Sequence, residues 1–434
     1  MKKHLQNFSY MFFVQVANYA FPLVTIPLVS RIFGPSNIGL INYVAAIVNY
    51  FALAVNYSFN YTGVRRLARG DTDAEKVFSA IFMSQVYIFS LCLVIFAAMT
   101  WMFDDLRNNM GLAWATFLTC LAMLFNQVWF LQAKGDFRTI ALISFAAKAA
   151  TFALILMVIR SPKDVVTYVL ILNGAAVVSG LFGLIVVLRK YRIRLAIPPV
   201  SECLKMIGED KILFFSAVST SLYTSGGIVL LGAFAGVQEI GYYSSAQKLI
   251  DVIRTVALNP FFQILFPILS ASVSRDREGA LKVIRLYMPV FVLFSIGLLI
   301  GMLLFGKLMI SVIFGQAFLP ALPIFLVLSF GLIAVFYGLL VGGQVMLNLG
   351  YDRAFLNIQI VVSVASLIVN YFVLPRGGGM TTAIVWSTAE IVMSLSQVIF
   401  LKRAGVTLFE RDAFRLASLR RLPGLLLRKG ESHA

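Results

Sequence analysis

Mostly apolar stretches of about 20 residues or more recur twelve times along the chain, parted by short polar gaps, and each is long enough to cross a membrane as a helix. They predict membrane helices near 8–31, 37–63, 77–103, 109–133, 139–159, 165–188, 212–238, 240–272, 286–314, 320–349, 354–375 and 380–401. Little more than Asp352 and Arg353 interrupts the run from 320 to 375, but that length exceeds one crossing, so it is read as two helices. The pattern predicts an all-α polytopic membrane protein. Composition agrees: 13% of residues are charged, against about 25% in soluble domains, and mean hydropathy is +0.89.

Lys and Arg collect in every second gap. With the N-terminus inside, 27 of the 36 basic residues lie on the cytoplasmic side, six lie opposite and three lie within helices. That asymmetry predicts both termini in the cytoplasm. Basic loops against an anionic leaflet also account for the net charge of +17, so no nucleic-acid partner is called for. His4 and His433 stand at the chain ends, which excludes a histidine triad or a histidine metal centre. Cys92, Cys120 and Cys203 have no ligand spacing and support neither a disulfide framework nor a zinc site. The apolar run behind the N-terminal MKKHLQNF is too long for a signal peptide's h-region and lacks a clear small-residue cleavage site, so it is read as the first helix.

The longest cytoplasmic connection falls near the middle of the chain and divides it into an N-terminal six-helix lobe (1–190), a linker (191–211), a C-terminal six-helix lobe (212–403) and a basic cytoplasmic tail (404–434). FGPSNIG at 33–39 and AGVQEIG at 235–241 occupy the same position in each half; at an offset of 202 residues Gly34 pairs with Gly236, Ile38 with Ile240 and Gly39 with Gly241. Six helices per half is an even number, so the repeats are parallel, related by a pseudo-twofold along the membrane normal, with a central cavity between the lobes as the natural substrate site. Pro22 and Pro27 in the first helix and Pro260 and Pro267 in the eighth bend their helices, either as moving parts or as packing adjustments.

The second helix carries Asn-Tyr at 42–43, 49–50, 56–57 and 60–61, which sets Asn42, Asn49, Asn56 and Asn60 on one stripe with Tyr50 and Tyr57 beside it. Carboxamides in a membrane helix face protein or water. The stripe is either a lumen wall, with amides for sugar hydroxyls and rings for stacking, or interhelical glue. Lys148 lies mid-helix with no acid nearby in sequence and calls for a buried polar cavity. Lys248, Asp251 and Arg254 form a ladder that can pair internally, and Glu390 is a further embedded acid. Together with Arg31 and Arg65 at helix ends, the bases would suit a pyrophosphate.

The stretches RIFGPSNIGLINYVAAIVNYF (31–51), WFLQAKGDFRTIALIS (129–144), SPKDVVTY (161–168), IGYYSSAQKLIDVI (240–253) and FGQAFLPALPIF (314–325) resemble the O-antigen flippases, the polysaccharide transporters of the multidrug/oligosaccharidyl-lipid/polysaccharide exporter superfamily. The resemblance implies a twelve-helix, two-lobed transporter, not an enzyme, that needs no cofactor and moves an undecaprenyl-pyrophosphate-linked oligosaccharide across the bacterial inner membrane by alternating access. It implies a cationic cavity (Lys148, Lys248 and Arg254, with Arg31 and Arg65), a coupling ion, H+ or Na+, with Asp251 and Glu390 as its candidate residues, and polysaccharide polymerase and chain-length partners. A drug exporter of the superfamily would carry an acid in the first or seventh helix, and both are acid-free; a lipid II flippase would carry two more helices and several arginines in its first two. A polymerase or ligase would need large extracytoplasmic loops, and those here are short. As a scaffold subunit, the chain could use its basic tail at 411–429 for docking or as an anchor to anionic lipid.

Overall fold

Helix dominates the computed structural model, which describes residues 2–69 and 73–408. The long helices follow the apolar runs, and glycine and proline cut them. Helix α1 (Lys2–Asn56) breaks at Gly34, whose φ of 70° lies where only glycine is unstrained, and Pro35 opens the second arm without wasting an N–H. The chain continues through α2 (Phe59–Arg69), α3 (Ala74–Met102), α4 (Asp104–Asn108), α5 (Met110–Phe125), α6 (Val128–Ala133), α7 (Phe137–Val158), α8 (Val165–Lys190) and α9 (Val200–Phe234). Helix α10 (Val237–Ile253) passes through a π-helical turn into α11 (Asn259–Arg275), followed by α12 (Arg277–Ile313) and α13 (Leu322–Gly338), which ends in a second π-helical segment at Leu339–Met346. The last, α14 (Asp352–Arg403), breaks at Gly378 (φ 54°).

Among the described residues, eight helices are long and apolar enough to cross a membrane, or nine if α9, bent by 51° between Leu222 and Ser225, is taken as one span. Ser219 and Thr220 donate to the carbonyls of Phe215 and Ser216 just before that bend, and such back-bonding favours helix bending.

Packing divides the described residues into two compact units, those within 2–241 with 313–317, and those within 242–312 with 318–408. In the first, Phe51, Phe96, Trp114 and Phe117 make an aromatic cluster, with Phe96 and Phe117 stacked at 4.5 Å. Asn173 of α8 donates to the Ala115 carbonyl of α5 at 3.0 Å. In the second, α13 and the π segment offer Gly331, Gly338 and Gly342 to Trp386, Ser394 and Gln397 of α14. Ser387 and Ser394 donate across this seam to the carbonyls of Val327 and Ala334 at 3.0 and 2.6 Å. Small residues with hydroxyl cross-links are the means by which apolar helices associate in lipid.

Two sequence expectations change. The helix expected at 37–63 is cut at Tyr57 and Ser58, which hold positive φ values of 46° and 62°. Tyr57 stacks on Phe214 at 4.3 Å, a tertiary contact that offsets the strain. The connection expected at 191–211 is non-helical only to Pro199; from Val200 its polar sequence already forms the first turns of α9. The basic tail at 411–429 lies outside the described residues.

Candidate functional site

Helix α7 places Lys148 as the twelfth of its 22 residues, far from either end. The side chain lines a cavity of about 320 Å³ between the first arm of α1, α7 and α8, together with Thr25, Ser144, Thr151 and Ser179 and the apolar groups Phe21, Pro22, Ala147, Phe152, Ile155, Leu172, Ala175 and Ala176. The cavity forms because small residues of α7 and α8 face one another, while Phe21 packs on Phe145 and Phe152, which flank Lys148 by three and four residues, at 5.9 and 5.5 Å. Among the described residues, Lys148 has neither an ion-pair nor a hydrogen-bond partner. An ammonium in a membrane helix is retained at a cost.

Of the other sequence candidates, none lines this cavity. Asn42, Asn49 and Tyr50 lie on the second arm of α1, where Asn49 Nδ2 donates to Ser221 Oγ of α9 at 3.4 Å and Tyr50 Oη to the Ser221 carbonyl at 3.3 Å. Asn56 is the last residue of that arm. Asn60 lies beyond the break, its buried Oδ1 without a hydrogen-bond partner among the described residues. Asn49 and Tyr50 therefore face a seam with α9. Arg65 is exposed, and Arg31 is exposed at the end of the first arm, with its side chain beside Gly315. In the second unit, Arg254 pairs with Asp251 at 3.3 Å, the internal pairing expected of that ladder, while Lys248 is exposed and Glu390 is buried.

The α9 seam also contains residues that the sequence did not single out. Asp210, 1% exposed at its side chain, accepts from Arg66 at 2.7 and 3.0 Å and from Thr62 at 2.8 Å; Glu209 adds a second carboxylate at 3.2 Å. Farther along, the Tyr43 ring covers Gly232, and beyond it Gly39 and Gly241 make a reciprocal crossing. A Cβ on Gly39 would strike the Val237 carbonyl, and one on Gly241 would strike the Pro35 carbonyl. Pro35 and Val237 are themselves 202 residues apart, so the contact maps onto itself under the sequence offset. The one available signal for the Asp210 pairing was an acidic Glu209–Asp210 opposite a basic Arg65–Arg66 in loops expected on the same side.

Comparison with known proteins adds to this geometry. Residues 4–273 match the family described as "Polysaccharide biosynthesis protein". A protein of Escherichia coli (strain K12) named "Putative O-antigen transporter" is 23% identical over 366 residues, 84% of this chain and 88% of the relative. Its namesake in Shigella dysenteriae is 22% identical over 320 residues, 73% and 79% of the two chains. The fold is like that of the lipid II flippase MurJ in an inward closed conformation (TM-score 0.68, 15% identity, 98% of this chain and 93% of that one). It is also like that of an inward-facing multidrug resistance MATE family transporter of the MOP superfamily (TM-score 0.61, 15% identity, 90% and 94%). These relatives and neighbours are transporters and flippases, not enzymes.

Proposed function

Because the chain belongs to the polysaccharide biosynthesis protein family, we propose that it is a flippase carrying an undecaprenyl-pyrophosphate-linked oligosaccharide repeat unit across the bacterial inner membrane for O-antigen, capsule or exopolysaccharide assembly. It is a transporter and not an enzyme. The observation that carries the reading is Lys148, an unpartnered ammonium in the middle of a membrane helix and on the wall of a cavity. A pyrophosphate supplies the charge-assisted hydrogen bonds that such a group lacks. The glycan lies along the Asn and Tyr residues of the α1–α9 seam, where Asn49 and Tyr50 already bond to a serine hydroxyl and carbonyl that sugar hydroxyls can replace.

Twelve crossings in two six-helix lobes, with both termini cytoplasmic, fit this function. Support comes from the breaks at Gly34 and Gly378, which divide α1 and α14 into two arms each, from the reciprocal Gly39–Gly241 crossing, and from the basic residues in alternate loops. Transport proceeds by alternating access. Lys248, Arg254, Arg31 and Arg65 are further substrate contacts of this scheme. Asp251, which pairs with Arg254, and the buried Glu390 are the two candidate acids for a coupling H+ or Na+. A polymerase and a chain-length regulator would receive the product. Deleting the gene tests the reading. Loss of surface polysaccharide with complete lipid-linked units held in the inner leaflet is expected, whereas unchanged polysaccharide with altered sensitivity to cationic drugs would overturn it.

A further inference from the structure

The Lys148 cavity sorts its ligand by chemistry and by size. Lys148 offers three N–H donors, and Ser144 and Ser179 offer hydroxyls; among the described residues none of the three side chains has a partner. The protons of Thr25 and Thr151 are already given to the carbonyls of Phe21 and Ala147, at 3.0 and 2.8 Å. Among the described residues, no carboxylate lines the wall. A surplus of donors around one positive charge calls for an acceptor-rich anion. The remaining wall is aromatic and aliphatic, which suits an apolar continuation of that anion.

The volume, about 320 Å³, is at the small end of the range for small-molecule pockets, roughly 300–1,000 Å³. It has room for a pyrophosphate and the start of an apolar tail, but not for several sugar rings as well. Ser144, Ala176 and Ser179 also line a second cavity of about 180 Å³, which extends towards the Phe137 end of α7 and to the exposed Asn126. None of the Asn and Tyr residues of the second arm borders either space.

We propose that this intralobe cavity is a headgroup pocket that binds the phosphate end of a prenyl-type lipid independently of any sugar, the headgroup passing Ser144 and Ser179 to reach Lys148. The inference rests on the flippase reading, and it separates headgroup recognition inside one unit from glycan recognition along the seam.

The test uses the full chain in nanodiscs of zwitterionic phospholipid, with farnesyl pyrophosphate as the probe in titration calorimetry. Farnesyl pyrophosphate should bind, and farnesol and inorganic pyrophosphate should each bind about tenfold or more weakly. Lys148→Gln should weaken farnesyl pyrophosphate about tenfold or more, Lys148→Arg should largely retain binding, and Asn49→Leu should leave it unchanged. Inorganic pyrophosphate binding as tightly as the farnesyl compound would make this a free-phosphate site and overturn the lipid assignment. Equal competition by phosphatidylglycerol would make it an ordinary phospholipid site and overturn the prenyl assignment. Binding undiminished in both Lys148→Gln and a Ser144→Ala/Ser179→Ala variant would place the ligand elsewhere. If binding fails while the deletion strain still accumulates lipid-linked units in the inner leaflet, the pocket is wrong and the flippase stands.

Discussion

Asp210 is a buried charge of the first unit, its two carboxylate oxygens filled by the Arg66 fork and by Thr62 with almost no exposure to water. Removing Asp210 leaves the half-buried Arg66 with the more exposed Glu209 carboxylate in its place and takes the acceptor from Thr62, at a cost of about 1–3 kcal/mol. Asp210→Ala should therefore lower the unfolding temperature in detergent well beyond Arg65→Ala, whose side chain is exposed; equal shifts would mean that the pair is dispensable. A second cluster predicts a pH dependence. Burial alone would raise the Asp136 pKa, but hydrogen bonds from Lys190, Thr139 and Tyr191 and the Lys190 charge outweigh it and hold the carboxyl below its ordinary value, about 3.9. A depressed pKa contributes stability that is present above the unfolded value and lost as pH falls through the folded one. Asp136→Asn should thus be about 1–2 kcal/mol less stable than the parent at pH 7, with the gap closing below about pH 4 in thermal melts. A gap that stayed constant with pH would rule out the ionised carboxylate as its source. Lys148 was legible in the sequence because a lone base amid apolar residues stands out within its own helix. Asp210 was not, because its partner is 144 residues away and nothing local marks a carboxylate that will be buried.

At the scale of elements, the second arm of α1 and α2 run antiparallel to α9, meeting it at Arg66–Asp210, Tyr57–Phe214, Asn49–Ser221 and Tyr43–Gly232 before the Gly39–Gly241 crossing with α10. From Asp210 to Val237 this seam follows about 40 Å of helix. Its two ends differ in kind. One is a buried charge clasp, and the other is backbone on backbone, where glycine is required. Gly39→Ala or Gly241→Ala should therefore force the crossing apart, and each should reduce transport of the glycan while the protein still reaches the membrane. Gly174→Ala, which adds a Cβ in open space, is the control and should be silent. Transport unaffected by both crossing variants would mean that this approach has no part in the cycle. The glycine signals were legible beforehand, since FGPSNIG and AGVQEIG share an offset. The break at Tyr57 and Ser58 was not, because those residue types ordinarily avoid left-handed backbone and the tertiary stacking of Tyr57 on Phe214 is not visible locally.

For the whole molecule, helix length limits how often the chain can cross the bilayer. Helix α14 has 52 residues, about 78 Å of helix against a hydrocarbon layer of about 30 Å, so it cannot be one upright span. The apolar run is interrupted by Pro375, Arg376 and three glycines, and the backbone leaves helical geometry at Gly378. The same reasoning applies at Gly34, between two apolar arms of α1. If each is a turn between two crossings, both turns lie on the extracytoplasmic side of a twelve-span chain, while the α13–α14 connection around Asp352 lies in the cytoplasm. Single cysteines at Ser36 and Arg376, in a background with Cys92, Cys120 and Cys203 replaced, should react with a membrane-impermeant maleimide on intact cells. A cysteine at Arg353 should react only after lysis. Labelling of Arg353→Cys on intact cells, or protection of the other two until lysis, would reverse the orientation argued from the basic loops. Protection of Ser36→Cys and Arg376→Cys both before and after lysis would mean that the turns are buried in the bilayer as kinks within single tilted helices.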